Sequence, residues 1–151
     1  MKENRVGVAI GKSKSIKRFW PMLGPYIASR EVTNELNDKI YDDEQTVWFI
    51  LFVKGGRNVP DDESVIGFCC ARITESKCEL RHDYIREEYR DKKRYSLLFK
   101  IRQSYLSREY PDKPQEIVTQ NELIIEKLNS ESFKVVAKRG SYSVFRREDR
   151  K

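Results

Sequence analysis

Two hydrophobic periods recur along the chain and divide it into predicted strands and helices. Short apolar runs that are bounded by Gly, Pro or polar turns are typical of buried strands. Seven such segments occur, and the last two form a hairpin with Arg139 and Gly140 at its turn. The segments are Arg5–Ile10, TVWFILFVK, VIGFCCARI, CELRHDYI, QEIVTQ and the two arms of FKVVAKRGSYSVFRR.

Apolar residues at helical spacing predict four helices between these strands. Ser13 is a candidate N-cap for the first helix, which runs to about Leu23 and is broken or restarted by Pro25. The second helix fits Tyr26–Tyr41, the third fits Tyr95–Leu106, and the fourth lies in NELIIEKLNS. Strands that alternate with crossover helices in the second half of the chain predict a mixed α/β sheet.

The composition is that of one globular domain, which we expect to span residues 1–151. Hydrophobic residues make up 38% of the chain, aromatic residues 11% and charged residues 36%. So many aromatic side chains argue against a disordered chain. No apolar run approaches the roughly 20 residues that cross a bilayer, and the N-terminus lacks the pattern of a secretory signal. We therefore expect a cytoplasmic protein that has no membrane partner.

Charge and cysteine content narrow the range of partners. The net charge of +6 favours an anionic partner, such as nucleic acid or a phosphorylated cofactor. The three cysteines have no disulfide spacing, so free buried thiols are expected. His82 is the only histidine and no CxxC occurs, so we expect no metal site.

The densest cations stand where the third helix begins. The segment RDKKRY places Arg90, Lys92, Lys93 and Arg94 within six residues, although a helix N-terminus already carries partial positive charge. This arrangement favours an anion that binds there. The alternative is a charge run that is only a solvated face. Ser96 is well placed to cap the helix or to donate its hydroxyl.

The same segment carries a resemblance to a known family. In YIREEYRDKKRYSLL, Arg90 takes the first position of an Arg/Gln-x-x-Gly-x-Gly/Ala loop, and Lys93 and Tyr95 take the two glycine positions. The loop and the order of elements resemble the GCN5-related N-acetyltransferase superfamily. In that family the loop and the helix start bind the diphosphate of acyl-CoA. Here the side chains of Lys93 and Arg94 would replace close backbone contact, or else the site is degenerate.

A second stretch matches the same family. Its members often show Asn, then Tyr seven residues later, then Gly-Phe at the eleventh and twelfth positions. In NELIIEKLNSESF these positions hold Asn121, Leu128, Ser132 and Phe133. Asn and Phe are kept, whereas the Tyr that protonates the leaving thiolate in many members is replaced by Leu128.

The resemblance implies an α/β (α+β) fold, with a mixed, mostly antiparallel sheet of six to seven strands flanked by about four helices. It also implies that acetyl-CoA, or another acyl-CoA, is the cofactor and lies where CELRHDYI and QEIVTQ splay apart. An amine acceptor of unknown identity would attack the thioester directly. The residues that the resemblance implies for cofactor binding are Tyr84, Ile85, Arg90, Lys92, Lys93, Arg94, Tyr95, Ser96 and Asn121.

Three residues are candidates for proton transfer. Some family members place a general-base Glu eleven residues before the loop, which is the position of Glu79. Strand alternation predicts that Glu79 and Arg81 share one face with Asp83 and Ile85. Glu79 or Asp83 would then accept the proton of the amine, and a salt-bridged carboxylate is the alternative for Glu79. Tyr142 is a candidate general acid, with packing as its alternative role.

Two other functions stay open at this point. The altered loop and the basic surface permit a divergent branch of the family that modifies nucleobases in DNA. The chain could also be a binding module that keeps the fold without catalysis. The segment KSKSIKRFW interleaves cations with aromatic residues, which suits single-stranded nucleic acid, but a solvated helix face explains it equally well. Both a monomer and a homodimer fit the sequence.

Overall fold

The architecture is one seven-stranded sheet with helices on its two faces. The computed structural model describes residues 5–36, 39–54, 60–119, 128, 133–139 and 142–147. In those residues the strands are β1 (Arg5–Gly11), β2 (Thr46–Lys54), β3 (Val65–Ile73), β4 (Cys78–Ile85), β5 (Gln115–Thr119), β6 (Lys134–Arg139) and β7 (Tyr142–Arg147). The α-helices of the same residues are α1 (Phe19–Ile27), α2 (Arg30–Leu36) and α3 (Lys92–Glu109).

The order of strands across the sheet is β1-β2-β3-β4-β5-β7-β6. β4 and β5 run parallel, and every other neighbouring pair is antiparallel. This confirms the expected mixed, mostly antiparallel sheet of six to seven strands. Parallel neighbours need a crossover connection, and α3, which lies between β4 and β5 in the sequence, supplies it.

One face of the sheet, named here the α3 face, packs against α3. Phe49 and Leu51 of β2 belong to the same buried cluster as Leu98 and Leu106 of α3. Phe133 joins this cluster, and its ring meets that of Phe99 edge-on at 5.7 Å between centroids. Burying one such side chain contributes about 1.5–3 kcal/mol, so this layer fixes α3 across the centre of the sheet.

The opposite face, named here the α1–α2 face, holds a second cluster. Trp48 of β2 and Phe68 of β3 pack with Phe19 and Leu23 of α1 and with Val32 of α2. Because β2 is buried on both faces, its sequence is a continuous apolar run instead of an alternating one. The two clusters place helices on both sides of β4, which is the strand that carries the candidate residues Glu79, Asp83, Tyr84 and Ile85.

The first helix differs from its prediction. Ser13 begins a short 3-10 helix and caps no α-helix, and α1 begins only after Arg18, whose φ of 67° is left-handed. The prediction that Pro25 breaks or restarts the helix was wrong, because α1 continues through it to Ile27. Proline removes one N–H donor from the helix, while the buried side chains of α1 keep the helix packed on the sheet.

The other helices also shift in their bounds. α2 has seven residues and occupies only the middle of the predicted Tyr26–Tyr41. α3 begins at Lys92, three residues before Tyr95, and ends at Glu109. The predicted fourth helix lies outside the described residues, apart from Leu128, which is helical and fully buried. Among the helices described, none has the length and apolar character to cross a membrane.

Candidate active site

A gap between two parallel strands lies at the centre of the sheet. β4 and β5 pair over only three positions, from Cys78 opposite Gln115 to Leu80 opposite Ile117. Beyond Leu80, the described part of β4 pairs with β3 alone, and β5 pairs with β7 alone. The two strands therefore separate where the family resemblance placed the splay between CELRHDYI and QEIVTQ, and beyond Leu80 the β4 backbone has no β5 partner in the described residues.

β4 contains a bulge at the point where it leaves β5. Phe68 of β3 lies opposite Tyr84, and Cys70 lies opposite Arg81, so β4 has one residue more than β3 in this interval. His82 takes up the extra residue with a left-handed φ of 58°. A bulge of this kind turns the following side chains to the other face of the strand.

The bulge overturns the predicted facing of the polar residues in β4. Arg81 and His82, although adjacent, line the same cavity on the α1–α2 face, and the ring of His82 stacks on Trp48. Asp83 and Ile85 instead contact the α3 side. The prediction that Asp83 and Ile85 share the face of Glu79 and Arg81 was therefore wrong, because simple alternation does not hold across a bulge.

Asp83 forms a buried ion pair with Arg102 of α3. Nη1 and Nη2 of Arg102 each donate to one carboxylate oxygen of Asp83 at 2.8 Å. The side chains are 1% and 7% exposed. Burial lowers the pKa of Arg102, but the neighbouring Asp83 carboxylate outweighs this, so the pKa is raised overall. The geometry joins β4 to α3 and favours a structural role for Asp83 over proton transfer.

Glu79 lies on the α1–α2 face between two cations. Its carboxylate oxygens are 3.7 Å from Nη1 of Arg72 and 3.7 Å from Nζ of Lys77, and its side chain is 27% exposed. These contacts correspond to the salt-bridged alternative considered from the sequence. Water can still reach the carboxylate at this exposure, so Glu79 remains a candidate base.

The start of α3 is capped by its own acidic residue. Asp91 is the N-cap, and its Oδ1 accepts the backbone N–H of Arg94 at 2.8 Å. Its other oxygen forms an ion pair with the guanidinium of Arg94, whose side chain also lies over the ring of Tyr89. The backbone hydrogen bond from Arg94 lowers the pKa of Asp91. A negative charge of the chain itself therefore occupies the helix end where an anion was expected.

Arg90 is also engaged within the protein. Its Nε donates to the carbonyl oxygen of Ile85 at 2.7 Å, and its Nη2 forms an ion pair with Glu35 of α2. Its guanidinium lies 5.5 Å from the ring centre of Tyr84. Burial lowers the pKa of Arg90, and Glu35 more than compensates, so the pKa is raised. Arg90 thus ties the loop to β4 and to α2.

The remaining predicted cofactor residues are scattered around this helix start. Lys93 is exposed, and Tyr95 and Ser96 are half-buried in the first turns of α3. The ring of Tyr84 packs against that of Phe68, with 5.4 Å between the ring centroids. Burial raises the pKa of Tyr84. The side chains of three predicted residues lie outside the described part of the chain, namely Lys92, Tyr142 and Asn121.

A cavity of about 210 Å³ opens on the α1–α2 face beside the bulge. Most of its lining residues have polar side chains, and they carry charges of both signs. The lining residues are Tyr41, Asp42, Asp43, Thr46, Cys70, Arg72, Arg81 and His82. Sequence reasoning did not identify this cavity, because strand alternation places Arg81 and His82 on opposite faces and the bulge that brings them together was not predicted.

The sequence matches no family model and no curated protein, whereas its structure resembles several solved ones. ElaA of Escherichia coli matches with a TM-score of 0.67 and 14% identity, over 94% of this chain and 99% of that one. An acyl-CoA N-acyltransferase from Pseudomonas aeruginosa matches with a TM-score of 0.69 and 12% identity, over 95% of this chain and 99% of that one. The N-acetyltransferase PseH of Campylobacter jejuni, in complex with acetyl coenzyme A, matches with a TM-score of 0.63 and 12% identity, over 95% of this chain and 100% of that one.

The fold is that of the GCN5-related N-acetyltransferases. The family resemblance of the sequence implied two places for an acyl-CoA, the gap between β4 and β5 and the start of α3, and both lie in the described residues. The gap could hold a pantetheine arm, because β4 has no β5 partner after Leu80 in the described residues. The start of α3 fits a diphosphate less well, because Asp91 already places a carboxylate there. Lys93 and Tyr95 also carry side chains where glycine would allow close approach.

Proposed function

We propose that this chain is an acyl-CoA-dependent N-acyltransferase that acts on an amine, with acetyl transfer as its simplest form. The observation that carries the proposal is the gap between β4 and β5, which opens at a bulge in β4. The likeness to PseH, which was solved with acetyl coenzyme A, and to the Pseudomonas aeruginosa acyltransferase supports it.

The chain offers distinct residues to each part of the cofactor. Backbone groups of β4 between Arg81 and Ile85 would pair with the pantetheine arm, in place of the β5 partners that they lack in the described residues. The exposed Lys93 would bind phosphate as a point charge, since Arg90 and Arg94 are held by Glu35 and Asp91. Acyl-CoA, when bound, supplies an acyl group as a thioester that an amine can attack.

The amine would approach from the α1–α2 face. The α3 face beside the bulge is filled by the Asp83–Arg102 ion pair, whereas the opposite face contains the cavity at Arg81. Glu79 lies on the cavity's side of the sheet and is the carboxylate of β4 that could accept the amine's proton through water. Leu128, which is fully buried, has no proton to give a leaving thiolate, so Tyr142 stays the candidate acid.

The proposal is tested by thermal unfolding with and without acetyl-CoA or CoA. A ligand at 100 times its dissociation constant stabilises the folded state by about 2.7 kcal/mol. We expect a clear rise in melting temperature, and the substitution Lys93→Glu should reduce it. Lys100→Glu is the matched control, because Lys100 is an exposed cation on the same helix. Absence of any shift at a saturating excess of acetyl-CoA and of CoA would refute the proposal.

A binding module without catalysis is the second candidate, and one observation favours it. Asp91 occupies the helix N-terminus with its own carboxylate, as expected if no diphosphate has to be accommodated there. The same unfolding experiment separates the two functions. A thermal shift with CoA supports the acyltransferase. A folded protein that shows no shift with CoA supports the binding module.

A further inference from the structure

We propose that the cavity beside the β4 bulge binds the carboxylate of an acceptor through Arg81, so that the acceptor is an amine of the amino-acid class. This inference rests on the proposed function, because it names the acceptor of the same site. It concerns a part of the molecule that contacts neither the loop nor the start of α3.

Arg81 brings a positive charge to the lining of the cavity. This residue is half-buried and lines the cavity. In the part of the chain that the structure describes, its guanidinium makes no hydrogen bond and no ion pair. A partly desolvated cation without a partner is unfavourable, and its five N–H donors are arranged to bind a carboxylate in two-point fashion. Arg81 is therefore available to an anion that enters the cavity.

The neighbouring cation is not available in the same way. Arg72 lines the same cavity, but its Nε donates to Asp43 at 2.9 Å and its Nη2 donates to Gln45. Its remaining nitrogen, Nη1, lies 3.7 Å from Glu79. These partners neutralise Arg72, so the unbalanced positive charge of the cavity belongs to Arg81.

Asp42 adds a negative charge to the lining of the same cavity. Asp42 accepts hydrogen bonds from Ser13 Oγ at 2.6 Å and from Trp48 Nε1 at 2.9 Å. Both donors are neutral, so they orient the carboxylate without cancelling its charge. A cavity with one unbalanced cation and one unbalanced carboxylate is complementary to a zwitterion. An α-amino acid carries both charges, whereas a simple amine or a nucleic acid carries only one sign.

The position and the size of the cavity also suit a small acceptor. The bulge directs Arg81 and His82 to the same face immediately after Leu80, where β4 leaves β5. An acceptor held by Arg81 would therefore lie next to the gap in which the thioester is proposed to bind. A volume of about 210 Å³ is below the roughly 300–1,000 Å³ of pockets for drug-sized ligands, which suits a small molecule.

The test uses NMR titration of the whole chain with glycine and with glycinamide, in the absence of CoA. The two probes have the same amine, and only glycine has the carboxylate. We expect glycine to shift the side-chain Nε–H signal of Arg81 and to bind at least tenfold more tightly than glycinamide. Arg81→Gln should remove this preference, and Arg81→Lys should retain part of it because the charge is kept. Lys100→Gln, which changes an exposed cation of α3, should behave as the unsubstituted chain.

The outcomes distinguish this inference from the proposed function. Equal shifts with glycine and glycinamide, no shift with either, or an unchanged preference in Arg81→Gln would overturn the assignment of Arg81, even if acetyl-CoA binds. Conversely, glycine binding that depends on Arg81 in a chain that does not bind CoA would support the cavity and reject the acyltransferase. A spectrum of Arg81→Gln that is unchanged away from the cavity verifies that this variant is folded.

Discussion

Asp91 explains why the densest cations of the chain stand at a helix start. The residue caps α3 and pairs with Arg94, so the charge run is partly balanced by an acid inside it. The cations therefore do not require a foreign anion. The same carboxylate would repel a diphosphate that approaches the helix end.

We predict that Asp91→Asn increases the affinity for CoA. Asparagine still accepts the hydrogen bond of an N-cap, but it removes a negative charge from the helix end. Charge effects at a helix terminus amount to about 0.3–1 kcal/mol, so the dissociation constant measured by calorimetry should fall about two- to fivefold. Asp112→Asn, beyond the other end of α3, is the control and should leave it unchanged. Weaker binding in Asp91→Asn would contradict the repulsion.

The ion pair of Asp83 and Arg102 leads to a prediction for stability. Asp83→Asn leaves the buried guanidinium of Arg102 without its counter-charge, which costs about 3–5 kcal/mol. Chemical unfolding should therefore show a large decrease in the free energy of unfolding of Asp83→Asn. The double variant Asp83→Leu with Arg102→Met removes both charges and should lose much less. If the double variant is as unstable as the single one, the ion pair is not the cause.

At the scale of elements, the approach of β3 to β4 beside the bulge depends on one glycine. Gly67 lies opposite Ile85 in the sheet. A Cβ at this position would come within 2.5 Å of the carbonyl oxygen of Tyr84 and would also meet the side chain of Ile85. Because the obstacle includes backbone, it cannot move aside without displacing the strand that borders the gap.

We predict that Gly67→Ala destabilises the protein by about 1–3 kcal/mol, as overpacking in a buried site does. Gly24→Ala in α1 is the matched control. There a Cβ would lie 3.8 Å from Trp20, an ordinary contact, and replacing glycine within a helix stabilises by about 0.5–1 kcal/mol. In thermal unfolding, the melting temperature should fall for Gly67→Ala and rise for Gly24→Ala. A neutral Gly67→Ala would show that β4 can shift freely.

At the scale of the whole molecule, several carboxylates link the stability to pH. The pKa of Asp91 is lowered by the backbone hydrogen bond from Arg94. Burial raises the pKa of Asp43, but a hydrogen bond from Arg72 outweighs burial and lowers it. Burial likewise raises the pKa of Glu116, but hydrogen bonds from Arg146 and Lys77 outweigh burial and lower it. A lowered pKa in the folded state means that the stabilisation is present above the unfolded value and is lost on acidification.

We predict that the melting temperature falls as the pH drops below the unfolded values of 4.5 for Glu and 3.8 for Asp. The fall should continue through the lower pKa values of the folded state. In Glu116→Gln, one of these groups is removed, so its melting temperature should depend less steeply on pH over the same range. Calorimetry at a series of pH values measures both slopes. A steeper slope in Glu116→Gln would contradict the assignment.

Much of the fold could be predicted because its signals are local in the chain. The apolar runs of β2 and β3 and the alternating residues of β4 gave strands whose bounds agree with the structure. The crossover helices in the second half of the chain predicted a mixed sheet, and among the described strands β4 and β5 are the pair that runs parallel. The bounds of α1 were less accurate, since the packing of Phe19 and Leu23 outweighs the local effect of Pro25.

The sequence by itself determined the order of the elements, the positions of the strands and the presence of a basic segment at the start of α3, because these follow from hydrophobic period and composition. Only the tertiary structure decided which charges are free. Arg90, Arg94 and Asp83 are bound to Glu35, Asp91 and Arg102, whereas Arg81 faces a cavity. Pairing of this kind depends on contacts between distant residues and on one bulge in β4, and neither has a local pattern in the chain.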